Sequence, residues 1–306
     1  MDQNVYHIPA LLPQTLSALD IKPDGLYIDA TYGGGGHSRA IVEHLGENGM
    51  LLGFDQDADA VAGAISDSRF TMIHSNFRYL ANFTDYFGII GKVDGILADL
   101  GVSFHHFDTE ERGFSFRFAD SPLDMRMNRG ASLTAADILN TYDEAALTRI
   151  FRIYGELKQA PRLAAAIVKA RQNAPFDSIT RLTEVAEPLL SRARTKKEMA
   201  PLFQALRIEV NGEMDALSEF LNDTTAALRP GGVLAIITYH SLEDRLVKNF
   251  MRTGNIAGEE STDFFGRRTS PWRMAGSKPI IPDDAEIERN PRSRSAKLRV
   301  AVKAEV

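Results

Sequence analysis

The 306-residue chain is 44% hydrophobic and 25% charged and has no cysteine, an ordinary globular composition that excludes disulfide-stapled, fibrous and disordered classes. Its formal charge of −6 speaks against a nucleic-acid partner only as an average. Residues 149–211 hold 12 Lys+Arg against 6 Asp+Glu and residues 245–303 hold 13 against 7, so each segment is net +6. Clustered cations can neutralise phosphates locally, although two solvated helical faces would give the same composition.

The stretch MDQNVYHIPALLPQTLSAL has an acidic residue at position 2 and prolines through its apolar part, so it does not read as a signal peptide. No apolar run approaches the ~20 residues of a membrane span. The expectation is a cytoplasmic protein with no membrane partner. The length favours two domains, or one domain carrying an insertion.

Short apolar runs then alternate with amphipathic stretches, the pattern of βα units on a parallel sheet. LYIDA (26–30) reads as a first strand, HSRAIVEHLG (37–46) as a helix, MLLGFD (50–55) as a second strand and DADAVAGAIS (57–66) as the helix after it. FTMIHS (70–75) and VDGILADL (93–100) are the third and fourth strands. Near-continuous apolar runs suit strands covered on both faces. Beyond residue 108 helical patterns run without a strand to about residue 231, which marks an inserted helical region; Phe203, Arg207, Val210, Met214 and Leu217 share one helical face. GGVLAIITYHS (231–241) is a fifth strand, opened by RPGG as a turn. AKLRVAVKAEV alternates Leu298, Val300 and Val302 and reads as a late strand, antiparallel, at the far edge of the sheet.

The turn in DATYGGGGHSRAI (29–41) places backbone N–H groups and a helix start beside any ligand at the sheet's carboxyl edge. No lysine follows the glycines, as a nucleoside triphosphate loop would need. The dinucleotide pattern Gly-x-Gly-x-x-Gly fails in both frames, because its third glycine would be Ser38 or Arg39. An S-adenosylmethionine turn or a tight turn that only lets the helix pack closely remains; Asp29 ends strand one, the glycines let a nucleoside without phosphates lie on the backbone, and Asp55, 19 residues beyond Gly36, stands where ribose hydroxyls need an acceptor and favours the first. Phe77 could stack on adenine or belong to the core, and Asp99 could reach the cofactor and the acceptor or simply start a turn. No catalytic metal is expected, since there are no thiolates and His105 and His106 lack helical i, i+4 spacing.

ERGFSFRFADSPLDMRMN (111–128), FQALRIEVNGEMDAL (203–217), TYHSLEDRLVK (238–248) and NPRSRSAKLR (290–299) follow. With HIPALLPQTL and DATYGGGGHS, they closely resemble the RsmH/MraW family of ribosomal RNA cytosine-N4 methyltransferases, from about residue 6 to residue 300. The resemblance implies a class I S-adenosylmethionine-dependent methyltransferase, a Rossmann-like, mostly parallel seven-stranded sheet spanning 1–108 and 213–306, with an inserted α-helical substrate-recognition domain over 109–212. It implies S-adenosyl-L-methionine as methyl donor and a cytosine amine in the decoding region of 16S rRNA, in the small ribosomal subunit, as acceptor. Family cofactor positions fall on Gly35, Gly36, His37, Asp55, Phe77 and Asp99. The family commonly reads Asp-Leu-Gly-Val-Ser-Ser-x-Gln; here Ser103-Phe104-His105-His106 departs from it, and His106 stands where a cofactor-contacting Gln sits.

Asp99, or the carbonyls of Leu100 and Gly101, would accept a hydrogen bond from the amine, and His240 would hold the base or take the proton, unless it is a satisfied histidine beneath the next helix. Ser241 reads as that helix's N-cap, with Asp244 at the reciprocal position. Asp124 and Arg126 either shape a pocket or pin the insertion to the core. Arg292 and Arg294 would hold the RNA backbone, or lie in a solvated loop. A methyltransferase of DNA or a small molecule, or a cofactor-binding assembly factor without turnover, would share most of these features; a monomer and a homodimer are both compatible with them.

Overall fold

The computed structural model describes residues 9–102, 107–118, 120–190 and 195–305. They form two compact units, one from the described parts of Met1–Gly101 and Met214–Val306, the other from Val102–Glu213.

In the first unit the parallel strands are β1 (Leu26–Asp29), β2 (Met50–Asp55), β3 (Phe70–His74), β4 (Val93–Asp99) and β5 (Leu228–Thr238). The hairpin strands β6 (Ser261–Thr262) and β7 (Arg268–Thr269) stand apart from them; β8 (Trp272–Met274) and β9 (Lys297–Lys303) complete a seven-stranded sheet in the order β3-β2-β1-β4-β5-β9-β8. This is a class I, Rossmann-like sheet: the five parallel strands come first, and the chain reverses only at β9, which is antiparallel to β5 and to β8.

The period of two along each strand divides the core between the sheet's faces. Ile28, Leu52, Phe54, Ile96, Leu234 and Ile236 pack on one face with Leu217, Phe220 and Leu221 of α10 (Glu213–Ala227) and Val247, Phe250 and Met251 of α11 (Ser241–Thr253). Tyr27, Leu51, Leu97, Ala235 and Ile237 pack on the other with Leu19 of α1 (Leu12–Leu19) and Ile41 and Val42 of α2 (Gly36–His44). The helices α3 (Ala58–Ala62) and α4 (Leu80–Tyr86) follow β2 and β3.

Four details differ from the sequence reading. α3 is a turn and a half, stopped at Gly63, rather than a helix over 57–66. RPGG lies within β5, where the pairing with β4 shifts between Val93 and Gly95 and Gly231 takes φ 74°, so those residues bulge out of a strand instead of preceding one. β9 is antiparallel as expected but is not the edge: β8 lies outside it, a three-residue strand too short to show alternation. The helical face read through residues 203–217 belongs to two helices, because Gly212 at φ 57° breaks the run.

The second unit is helical, with α5 (Ala135–Thr141), α6 (Glu144–Ile153), α7 (Ala160–Ala170), α8 (Ile179–Ala186) and α9 (Thr195–Asn211). Thr134, Asp143 and Ser178 accept backbone N–H bonds at the starts of α5, α6 and α8, satisfying donors that a helix leaves open. Leu139, Leu147, Phe151, Leu163, Leu182 and Leu206 are fully buried in its core. The Arg112 guanidinium, also buried, donates to the carbonyls of Arg126 and Met127. Asp124 and Arg126 grip each other in a two-pronged pair at 2.7 and 2.8 Å. Among the described residues no helix is long and apolar enough to cross a membrane.

Candidate active site

Parallel strands bring residues far apart in sequence to one edge. Asp29, Asp55 and Asp99 are the last residues of β1, β2 and β4, Asp55 is level with His74 at the end of β3, and Asp99 is level with Ile237 of β5. Because β9 runs the other way, its first residue, Lys297, pairs with Thr238 at the end of β5, so the Pro291–Ser295 turn carrying Arg292 and Arg294 enters the sheet at this same edge. Arg294 is exposed and Arg292 half-buried.

The glycine turn is built around two of the acids. The Asp55 carboxylate accepts from the Gly33 N–H at 2.8 Å and the Asp57 N–H at 2.8 Å, which ties the turn after β1 to the end of β2. Asp29 is fully buried; its oxygens take the Ser38 hydroxyl at 2.6 Å and the Thr31 N–H at 3.1 Å. Burial lifts its carboxyl above the ordinary value, and these two donors and His37 only partly oppose that. Gly35 stands just before α2 at φ 74°, where a Cβ would lie 2.5 Å from the Tyr32 hydroxyl, so only glycine fits. Gly36 begins the helix, against Pro9. Gly34 has nothing within 4 Å of a Cβ position.

His37, on the first turn of α2, is 5% exposed, and neither ring nitrogen has a hydrogen-bond partner among the described residues. Its Nε2 lies 3.5 Å from Asp99 Oδ2. Buried polar atoms without partners are uncommon in folded proteins and mark places where a bound group can supply the bond. Asp99 Oδ1 accepts the Tyr239 hydroxyl at 2.7 Å, and the Asp99 N–H donates to Thr31 Oγ1 at 2.6 Å. Phe77 opens the single turn after β3, half-buried, with its ring edge-on to Phe220 at 5.2 Å.

His240 sits beyond β5 as the N-cap of α11. Its Nδ1 accepts the Glu243 N–H at 3.4 Å while Glu243 Oε2 accepts the N–H groups of Tyr239 and His240 at 2.9 and 3.3 Å. The capping pair is therefore His240 with Glu243, one residue earlier than the Ser241 and Asp244 read from sequence, and Asp244 is held instead by Arg299 at 2.7 and 3.1 Å. Its Nε2 lies 3.1 Å from Glu243 Oε1. His106 lies outside the described residues.

The model of the MraW methylase family matches residues 4–304. The chain belongs to that family. Curated relatives named ribosomal RNA small subunit methyltransferase H include one from Bacteroides thetaiotaomicron, 59% identical over 302 residues that cover 99% of both chains. Another, from Porphyromonas gingivalis, is 55% identical over 305 residues covering 98% of both. In this MraW methylase Thr31, Ser38, Tyr239 and Glu243 join the edge without having been picked out by sequence. Each lies inside a stretch singled out for other residues, Thr31 and Ser38 in DATYGGGGHSRAI and Tyr239 and Glu243 in TYHSLED beside His240.

Proposed function

We propose that the chain is an S-adenosylmethionine-dependent methyltransferase that acts on the exocyclic N4 of a cytosine in the decoding region of small-subunit 16S rRNA, in the assembled subunit. The observation that carries the reading is full-length identity of 59% to a curated ribosomal RNA small subunit methyltransferase. The acids ending β1, β2 and β4, and beside them the His37 ring, whose nitrogens have no hydrogen-bond partner among the described residues, are what such chemistry calls for.

The cofactor supplies, when bound, an electrophilic methyl on a sulfonium. Asp55 would accept from the ribose hydroxyls while its hold on Gly33 keeps the glycine turn open. Gly35 and Gly36 would let the nucleoside lie on the backbone, His37 would pair with it, and Phe77 would offer the exposed part of its ring to adenine. His106 is carried as a further contact in the place of the family's Gln.

A cytosine amine is a weak nucleophile because its lone pair is delocalised into the ring. Asp99 Oδ2, which accepts no hydrogen bond among the described residues, would take one from the amine and turn the lone pair towards the methyl. Holding reactants in line is worth several kcal/mol, on the scale of effective molarity, and it calls for an acceptor rather than a strong base. We assign His240 chiefly to the cap, since its Nδ1 is spent there.

The target base must leave its stack to enter such a pocket. The helical unit, 109–212 in the sequence reading, would recognise the RNA: Arg149 and Arg207 are paired with Glu209 and Glu213, while Arg152, Lys158, Arg162 and Lys169 are exposed. Arg292 and Arg294 would hold phosphates near the catalytic edge. Labelled methyl transfer to small subunits, naked rRNA and duplex DNA tests the reading: label in the subunits supports it, and label in DNA alone, or none despite tight subunit binding, overturns it.

A further inference from the structure

Tyr239 follows β5, which is laid beside β4 by the pairing of Asp99 with Ile237. Its N–H is fixed by Glu243 at 2.9 Å, and its ring lies where a Cβ on Gly101 would come within 3.3 Å. Gly101 itself is at φ 109°, a backbone conformation open only to glycine. The ring therefore covers the turn that leaves β4, and the hydroxyl reaches back to Asp99 Oδ1 at 2.7 Å. The other oxygen, Oδ2, lies 3.5 Å from His37 Nε2.

We infer that Tyr239 is a positioning residue: its hydroxyl fixes the rotation of the Asp99 carboxylate so that Oδ2 faces the reacting groups, and its ring holds the Asp99-Leu100-Gly101 turn in place. A carboxylate held by one donor on one oxygen cannot rotate without losing that bond, whereas a free aspartate samples several orientations. Burial first, and then the adjacent Asp99 charge, keep the Tyr239 hydroxyl well above its ordinary value, so it remains a protonated donor through the neutral and mildly alkaline range. The inference rests on the proposed role of Asp99 and extends it to a residue that acts through Asp99.

The test is a double-mutant cycle of Tyr239→Phe and Asp99→Asn, read by single-turnover methyl transfer to small ribosomal subunits at saturating cofactor and by calorimetric titration with S-adenosylmethionine. Removing the hydrogen bond that orients a metal-ligating side chain costs about 10–100-fold, and the same scale is taken for an oriented carboxylate. Tyr239→Phe is expected to lower the single-turnover rate at least about tenfold with its melting temperature within about 2 °C of the parent. In the Asp99→Asn background the same change is expected to cost less than about twofold, because the carboxylate it orients is gone. A structural role alone would give equal losses in both backgrounds. Equal losses, or a Tyr239→Phe rate within about twofold of the parent, would overturn the inference. If the parent transfers no methyl to rRNA the proposed function fails instead, and the cycle on cofactor affinity still decides: coupling between the two substitutions supports the positioning role, and additivity refutes it.

Discussion

The four glycines of the turn are not interchangeable, and Gly35→Ala against Gly34→Ala measures the difference. At Gly35 an alanine must adopt φ near 74°, a left-handed conformation that costs a side-chain-bearing residue about 1–2 kcal/mol. Its Cβ would also meet the Tyr32 hydroxyl at 2.5 Å, and that hydroxyl donates to the Gly63 carbonyl at 2.9 Å from a ring that is 3% exposed. Moving the ring loses a hydrogen bond worth about 1 kcal/mol. The sum is about 2–3 kcal/mol, or a fall in melting temperature of about 4–12 °C for a unit of this size. Gly34→Ala meets nothing within 4 Å and needs no positive φ, so it should stay within about 0.5 kcal/mol of the parent. Thermal unfolding of both variants, with calorimetric titration of the cofactor, checks the reasoning: Gly35→Ala should lose stability and affinity together, and equal melting temperatures for the two variants would refute it.

Asp55→Ala removes the carboxylate from the Gly33 and Asp57 N–H groups and from its proposed place on the ribose, and should weaken cofactor binding by about 10–150-fold, the range for a lost charged hydrogen bond, measured by calorimetry. His240→Ala should cost about 1 kcal/mol of stability through the lost cap, and His240→Asn should restore it; recovery of methyl transfer by Asn as well would show that no proton passes through the imidazole. Burial disfavours the charged forms of Asp244 and Asp124, but Arg299 with Lys297, and Arg126, more than offset this and hold both carboxyls below the ordinary value. Their stabilisation is therefore present above the usual carboxylate range and lost as the pH falls through the lower folded values. Asp29, raised by burial, acts in the opposite sense, its contribution fading as the pH rises through its folded value. Melting temperatures should fall below about pH 4, and Asp244→Asn should flatten that fall. Arg292→Ala and Arg294→Ala should weaken subunit binding without changing which base is modified and reduce the salt dependence by about one unit each, measured by binding titrations across salt concentrations.

The strands β1, β2 and β4 were legible because each is an apolar run ending in an acid, and a parallel sheet collects those ends at one edge without any knowledge of contacts. The glycine turn was legible through the two patterns that it fails. What sequence could not give was the direction of side chains just past a strand end, where the alternation of two stops. Tyr239 and His240 are neighbours in TYHS, yet one reaches Asp99 and the other caps α11. The cap was misplaced by one residue because both Ser-Leu-Glu-Asp and His-Ser-Leu-Glu satisfy the same spacing, and the choice depends on where β5 ends. Gly212 was read through because one glycine within a strong helical pattern does not announce a left-handed break. β8 escaped because three residues after a proline carry too little periodicity to be seen.

Mass-spectrometric mapping of the methylated nucleoside, after transfer to small ribosomal subunits that lack the modification, decides between the proposed activity and its rivals. A single product is expected, cytidine methylated at N4 at one position of the decoding region, and it should be lost with Asp99→Ala. A methyl at a ring carbon or another base, or undiminished transfer by Asp99→Ala, would contradict it.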